Sequence, residues 1–124
     1  MSMSGAVTIF HNPRCSTSRF AVEAAEASKR RVRVRNYLKD PLSEKELAAL
    51  VDTLDNDPGD LVRRDKRFQE LGLGEDDVQS GQQVVELLVE HPELMQRPVL
   101  IRHDLDANRA IIGRPRDQIE PFLA

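Results

Sequence analysis

The stretch from residue 6 to residue 38 reads as strand, helix, strand, and that order leaves few folds open. "AVTIF", residues 6–10, is a short apolar run with β-branched residues, which suits a buried strand. "HNP" ends it, because Pro13 lacks an amide proton and drives Asn12 away from helical angles. From Ser16 onward, "STSRFAVEAAEASKR" is rich in Ala and Glu, and Phe20, Ala21, Ala24, Ala25 and Ala27 supply a weak apolar face. Residues 32–38, "VRVRNYL", alternate Val32 and Val34 with Arg33 and Arg35, the period of a strand with one exposed face. Two strands joined by one helix imply a parallel pair with a right-handed crossover. The opening "MSMSG" adds nothing to this pattern.

The remainder adds helices and then a hairpin. "PLSEKELAALVDTLD" carries Ser43 and Glu46 at capping-box spacing ahead of Leu47, Leu50, Val51 and Leu54. Ser80 and Gln83 repeat that box ahead of Val84, Val85, Leu87 and Leu88. Residues 58–75 read as short helices broken by Gly72 and Gly74. "RPVLI" and "RAIIG" read as two strands joined by the turn-rich "RHDLDAN", and "PRDQIEPFL" as a closing helix. The expectation is one α/β domain over 1–124. Its four-stranded mixed sheet combines a βαβ unit with a C-terminal ββα unit, and a helical insertion spans about 43–92.

Composition narrows the function. The net charge of −3 argues against a broad nucleic-acid footprint, so any anion site must be local. With a single cysteine the chain has no intramolecular disulfide, no CxxC pair and no thiolate zinc site. No apolar stretch approaches the roughly 20 residues of a membrane span, and no signal-peptide pattern opens the chain, so a cytoplasmic protein is expected.

That cysteine, Cys15, sits between the first strand and the first helix, where free backbone amides and the helix dipole favour a thiolate. His11, Arg14 and Arg19 lie close by and would add positive charge, lowering the thiol pKa. Ser16, Thr17 and Ser18 offer hydroxyls that would cap the helix or bond the sulfur. A phosphatase-type loop needs an arginine six positions past the cysteine, but Ala21 stands there and Arg19 is only four past it. Other signals read as structure. "DNDPGD" would need an acidic residue where Lys66 stands to be a calcium loop. His91 and His103 lack metal-ligand spacing and read as surface, as do Arg64, Lys66 and Arg67.

"FHNPRCSTSR" resembles the active-site segment of the glutaredoxin-coupled arsenate reductases, the ArsC-like family. "LVRRDKRFQELGL", "EHPELMQRPVLI" and "IIGRPRDQI" resemble further segments of that family, in the family's order. The resemblance implies a thioredoxin-like fold with a helical insertion. It also implies that Cys15 is the nucleophile, tuned by His11, and that Arg63, Arg97 and Arg114 hold the oxyanion. Asn12, Ser18, Arg19 and Pro98 would support them, with Arg97-Pro98 a cis bond, which proline makes accessible. Several guanidiniums would offset the repulsion between a thiolate and arsenate and hold its oxygens in forked pairs.

Reduction takes two electrons and the chain holds one thiol, so other thiols must supply the rest. The family would use glutathione or a similar small thiol as co-substrate, then glutaredoxin as partner. No bound cofactor, metal, nucleic acid or membrane is expected, and a monomer is. Arg14 and Ser16 depart from the family pattern, which has small residues there. Two other readings compete: an Spx-like regulator that binds RNA polymerase, although Ser18 stands where a CxxC switch has its second cysteine, and a monothiol exchange protein.

Overall fold

The computed structural model describes residues 5–124. β1 (Ala6–His11) leads through a short turn into α1 (Ser16–Ala27), and β2 (Val32–Asn36) returns beside β1. α2 (Glu44–Thr53), α3 (Lys66–Glu70) and α4 (Gly81–Glu90) follow, interleaved with 3₁₀ turns at Pro58–Leu61, Glu75–Val78 and Pro92–Leu94. β3 (Val99–His103) and β4 (Asn108–Ile112) form the hairpin, and a 3₁₀ turn (Arg116–Gln118) runs into α5 (Ile119–Leu123).

The sheet order is β2-β1-β3-β4, with β1 and β2 parallel and both other pairings antiparallel. This mixed sheet is the thioredoxin-like arrangement, and the segment between β2 and β3 is the expected helical insertion. Side chains alternate across the strands and fill two cores. Val7, Ile9, Leu100 and Ile111 pack against α1 and α5 through Ala21, Ala25, Ile119 and Phe122. Phe10, Val99, Ala110 and Ile112 pack against the insertion through Leu47, Leu50, Val84 and Leu88. α1 can lie close to the sheet because its buried stripe is mostly alanine.

Both capping boxes form. Ser43 Oγ accepts from the Glu46 amide at 3.1 Å and Glu46 Oε1 accepts from the Ser43 amide at 3.0 Å. The Ser80–Gln83 box matches it at the start of α4. Each is worth about 0.5–2 kcal/mol to its helix.

Some boundaries differ from the sequence reading. β2 stops at Asn36 rather than continuing to residue 38. The Asn36 side chain accepts from the Leu38 amide at 3.1 Å and its carbonyl accepts from Asp40 at 2.9 Å. That turn rolls Tyr37 into the core, 1% exposed, instead of leaving it on a strand face. The hairpin strands are displaced by one or two residues, and Lys29, at φ 65°, ends α1 before the expected Arg30.

Two peptide bonds are cis, the expected Arg97-Pro98 and also Arg114-Pro115. They are drawn together by Gly113, whose amide donates to the Pro98 carbonyl at 2.9 Å. A Cβ on Gly113 would come within 2.8 Å of the Pro98 ring and 3.1 Å of Leu100 and Ile119, so a larger residue would push the two segments apart.

Candidate active site

The site begins with the turn after β1. The Asn12 carbonyl accepts from the Cys15 amide at 3.0 Å, and Asn12 Oδ1 accepts from the Arg14 amide at 3.0 Å. This Asx-type turn delivers Cys15 as the residue that caps α1, with extended backbone angles (φ −96°, ψ 122°). The sulfur thus faces the first free amides of the helix.

Cys15 is 8% exposed, and burial by itself would push its thiol pKa up. The Ser18 amide, the Arg97 side chain, the Arg114 charge and the Thr17 amide all oppose burial, and together they hold the pKa below the ordinary thiol value. Arg114 Nη2 donates to Cys15 Sγ at 3.2 Å, while its Nε donates to the Arg97 carbonyl at 2.8 Å. The two arginines that precede the cis prolines are therefore tied to each other and to the sulfur. Arg97 Nε is buried with no hydrogen-bond partner among the described residues.

Arg63 enters from the insertion. An isolated bridge pairs Val62 with Met95, and the Arg63 amide donates to the Leu94 carbonyl at 2.7 Å. Its Nη1 lies 3.0 Å from Asp65 Oδ2, so the charge on Arg63 is already answered. Arg63, Arg97 and the Asn12 side chain all act on the Tyr37 hydroxyl, which places them around one buried phenol. Tyr37 donates to the Met95 carbonyl at 3.4 Å, and burial, the largest influence, raises its pKa against those three. Tyr37 had no signal in the sequence beyond its place at the end of an alternating run.

His11 corrects one expectation. Burial and the nearby Arg19 charge push its pKa below the ordinary histidine value, so at neutral pH it is uncharged and adds no positive field. Its Nδ1 lies 2.6 Å from Ser18 Oγ, and the same Oγ accepts from the Asn12 amide at 3.0 Å. Both groups are satisfied when Ser18, fully buried, gives its proton to Nδ1 and accepts from Asn12. The Ser18 hydroxyl therefore braces the loop and does not cap α1; no side chain does. Arg19 likewise braces the loop, donating to the Pro13 carbonyl at 2.8 Å, and Arg14 is exposed.

The remaining candidates fall outside the site. Arg64 and Arg67 are exposed and paired with Glu75 and Glu93, and Lys66 is exposed. His91 and His103 are only partly exposed, against the surface reading: His91 meets Glu93 at 3.2 Å and His103 meets Thr8 at 2.9 Å. No cluster of three or more metal-ligating side chains exists among the described residues, and none of their helices is long and apolar enough to cross a membrane.

Comparison with known proteins gives a consistent answer. The ArsC family model matches residues 10–122. An arsenate reductase of Neisseria meningitidis serogroup B is 31% identical over 119 residues, covering 94% of this chain and 97% of that protein. The global transcriptional regulator Spx of Streptococcus pneumoniae is 31% identical over 118 residues, covering 94% of this chain and 85% of Spx. The solved arsenate reductase from Vibrio cholerae superposes with a TM-score of 0.79 at 30% identity, covering 94% of this chain and 96% of that one. With its thioredoxin-like sheet and its cysteine at the head of α1, this chain belongs to the ArsC family.

Proposed function

We propose that the chain is an arsenate reductase with Cys15 as nucleophile. The observation that carries this reading is a buried, acidified sulfur flanked by Arg97 and Arg114, neither of which is paired with a carboxylate. A thiolate beside unpaired guanidiniums suits attack on a small tetrahedral anion, whose charge those donors offset. Arg63 would close the third side.

The steps balance with one protein thiol. The Cys15 sulfur displaces an oxygen of the singly charged arsenate ion, which leaves as water, and a sulfur–arsenic(V) bond forms. A small thiol displaces a second oxygen, again as water. A further thiol attacks the small thiol's sulfur; an S–S bond forms, the arsenic–sulfur bond to the small thiol breaks, and its electron pair reduces arsenic to the trivalent state. Water then releases arsenite and regenerates Cys15. Two external thiols become one disulfide, which matches the two electrons gained. Glutathione or a similar thiol would serve first, and glutaredoxin second.

The test is thiol-dependent arsenite production with glutathione and glutaredoxin. Cys15→Ser should abolish it, and Arg63→Ala, Arg97→Ala and Arg114→Ala should each weaken saturation by arsenate. Wild-type protein that yields neither arsenite nor a covalent arsenic adduct by mass spectrometry would overturn the reading. The similarity to Spx supports a second reading, RNA polymerase binding without turnover. Capture of the polymerase α-subunit by an inactive wild type would favour it, though Ser18 denies the chain a CxxC switch.

A further inference from the structure

Three more arginines adjoin the Cys15 turn, in sequence or through a contact. Arg14 is exposed and directly precedes Cys15, and Arg19 is exposed on the first turns of α1. Arg116 arrives from the far end of the chain: its Nη2 donates to Thr17 Oγ1 at 3.4 Å, and its guanidinium carbon sits 5.0 Å from the centre of the Phe20 ring. The Thr17 amide is one of the groups acting on the sulfur, so Arg116 is held by a residue that itself acts on the reacting atom.

Most of the unpaired arginines lie near Cys15. Among the described residues, Arg35, Arg63, Arg64, Arg67, Arg102 and Arg109 have carboxylate partners within ion-pair distance. Among the described residues Arg14, Arg19, Arg97, Arg114 and Arg116 have none, nor does Arg33 on β2, in a chain whose 21 acidic residues outnumber its 18 lysines and arginines. Arsenate carries at most two negative charges at neutral pH, and Arg97 and Arg114 already stand at the sulfur. Arg19 is held against the loop by its 2.8 Å bond to the Pro13 carbonyl, tighter than the 3.4 Å contact of Arg116 with Thr17. Arg14 and Arg116 remain: both are exposed, neither has a carboxylate partner among the described residues, and one adjoins Cys15 in sequence while the other reaches the Cys15 turn through Thr17.

We propose that Arg14 and Arg116 select the small thiol that attacks the arsenic adduct, favouring one that carries carboxylates over a neutral one. The inference rests on the arsenate-reductase reading and names the co-substrate class for that site. The adduct on Cys15 is itself anionic, so a carboxylate-bearing thiol approaches against repulsion. Two forked donors at the rim offset that repulsion and bind the carboxylates. Stacking on Phe20 keeps Arg116 extended before the thiol arrives, which reduces the ordering it would otherwise lose.

The experiment measures kcat/KM for two thiols at saturating arsenate, glutathione with its two carboxylates and neutral 2-mercaptoethanol. Wild type, Arg14→Ala, Arg116→Ala, the double variant and Arg33→Ala on β2 are compared. The glutathione-to-mercaptoethanol ratio should fall about 3- to 10-fold in the double variant, and more steeply at low salt. Arg33→Ala should leave the ratio where it was. An unchanged ratio in the double variant overturns the proposal. So does a variant that loses only glutaredoxin turnover, which would assign the two arginines to an acidic protein face. The same comparison is run without arsenate, as exchange of Cys15 with oxidised glutathione and with the neutral hydroxyethyl disulfide. Absence of arsenite in wild type then sinks the enzyme reading, whereas equal charge preference across all variants in exchange sinks this one.

Discussion

Arg114 donates to the Cys15 sulfur across 99 residues of chain at 3.2 Å, from a segment whose approach depends on Gly113 lying against Pro98. The guanidinium favours the ionised thiol, so its loss shifts thiol ionisation toward higher pH. In Arg114→Ala the pH profile of alkylation by iodoacetamide should move upward, with slower labelling at pH 7. Arsenate turnover should lose about 10- to 100-fold in kcat/KM, the scale of a hydrogen bond to a charged group. Gly113→Ala should produce the same upward displacement, since its Cβ would push Arg114 away from Pro98. An alkylation profile identical to wild type in both variants would refute the coupling.

His11 is depressed in pKa by burial and by Arg19, so protonating it costs more in the folded state than in the unfolded one. Its contribution to stability is therefore complete above the unfolded value of about 6.5 and is lost as the pH falls through the lower folded value. Urea unfolding from pH 8 to pH 5 should show this decline, and His11→Asn should flatten it without moving the Cys15 alkylation profile. Ser18→Ala should cost about 1–3 kcal/mol at every pH, because the buried Asn12 amide loses its acceptor.

The backbone of the site was legible where the signal is local. Pro13 and the Ala-rich run placed Cys15 at the head of α1, and Ser43–Glu46 and Ser80–Gln83 marked two helix starts with the very residues that cap them. Tyr37 was hidden because its role depends on a partner 58 residues away, and an alternating run cannot reveal that its last member turns inward. His11 misled for a related reason. Proximity to Cys15 in sequence suggested added charge, while burial and Arg19 remove that charge and Ser18 takes up the ring. Arg116 carried no mark at all, since only the fold of the last segment brings it to Thr17.

Glu46 provides a pH test remote from the site. Arg35 and the Ser43 amide hold its carboxyl at about 2, well below the usual 4.5. Its stabilisation is present above pH 4.5 and is lost as the pH falls toward 2. Because the pair is substantially solvent-exposed, the amount is no more than about 1 kcal/mol. Glu46→Gln keeps the capping geometry and removes the charge, so acid unfolding of the variant should show a shallower pH dependence in that window. Glu75, Glu93 and Asp104, also held below their ordinary values, supply the rest. An unchanged acid profile would show that the Arg35 pair is idle.

Tyr37 is a positioning residue rather than a reacting one, because its hydroxyl touches the Met95 carbonyl and acts alongside Arg63, Arg97 and Asn12 with no contact to the sulfur. Its phenol stays protonated at neutral pH, since burial raises its pKa above the ordinary tyrosine value. Tyr37→Phe removes that one donor and leaves the ring, so the fold should lose only about 0.5–1.5 kcal/mol in urea unfolding. The Arg97 and Arg63 side chains would lose a fixed neighbour while keeping their charges. Arsenate KM should therefore rise about 3- to 10-fold, with the Cys15 alkylation profile held in place by Arg114 and the α1 amides. A variant that loses kcat and stability together with KM unchanged would assign Tyr37 to packing alone.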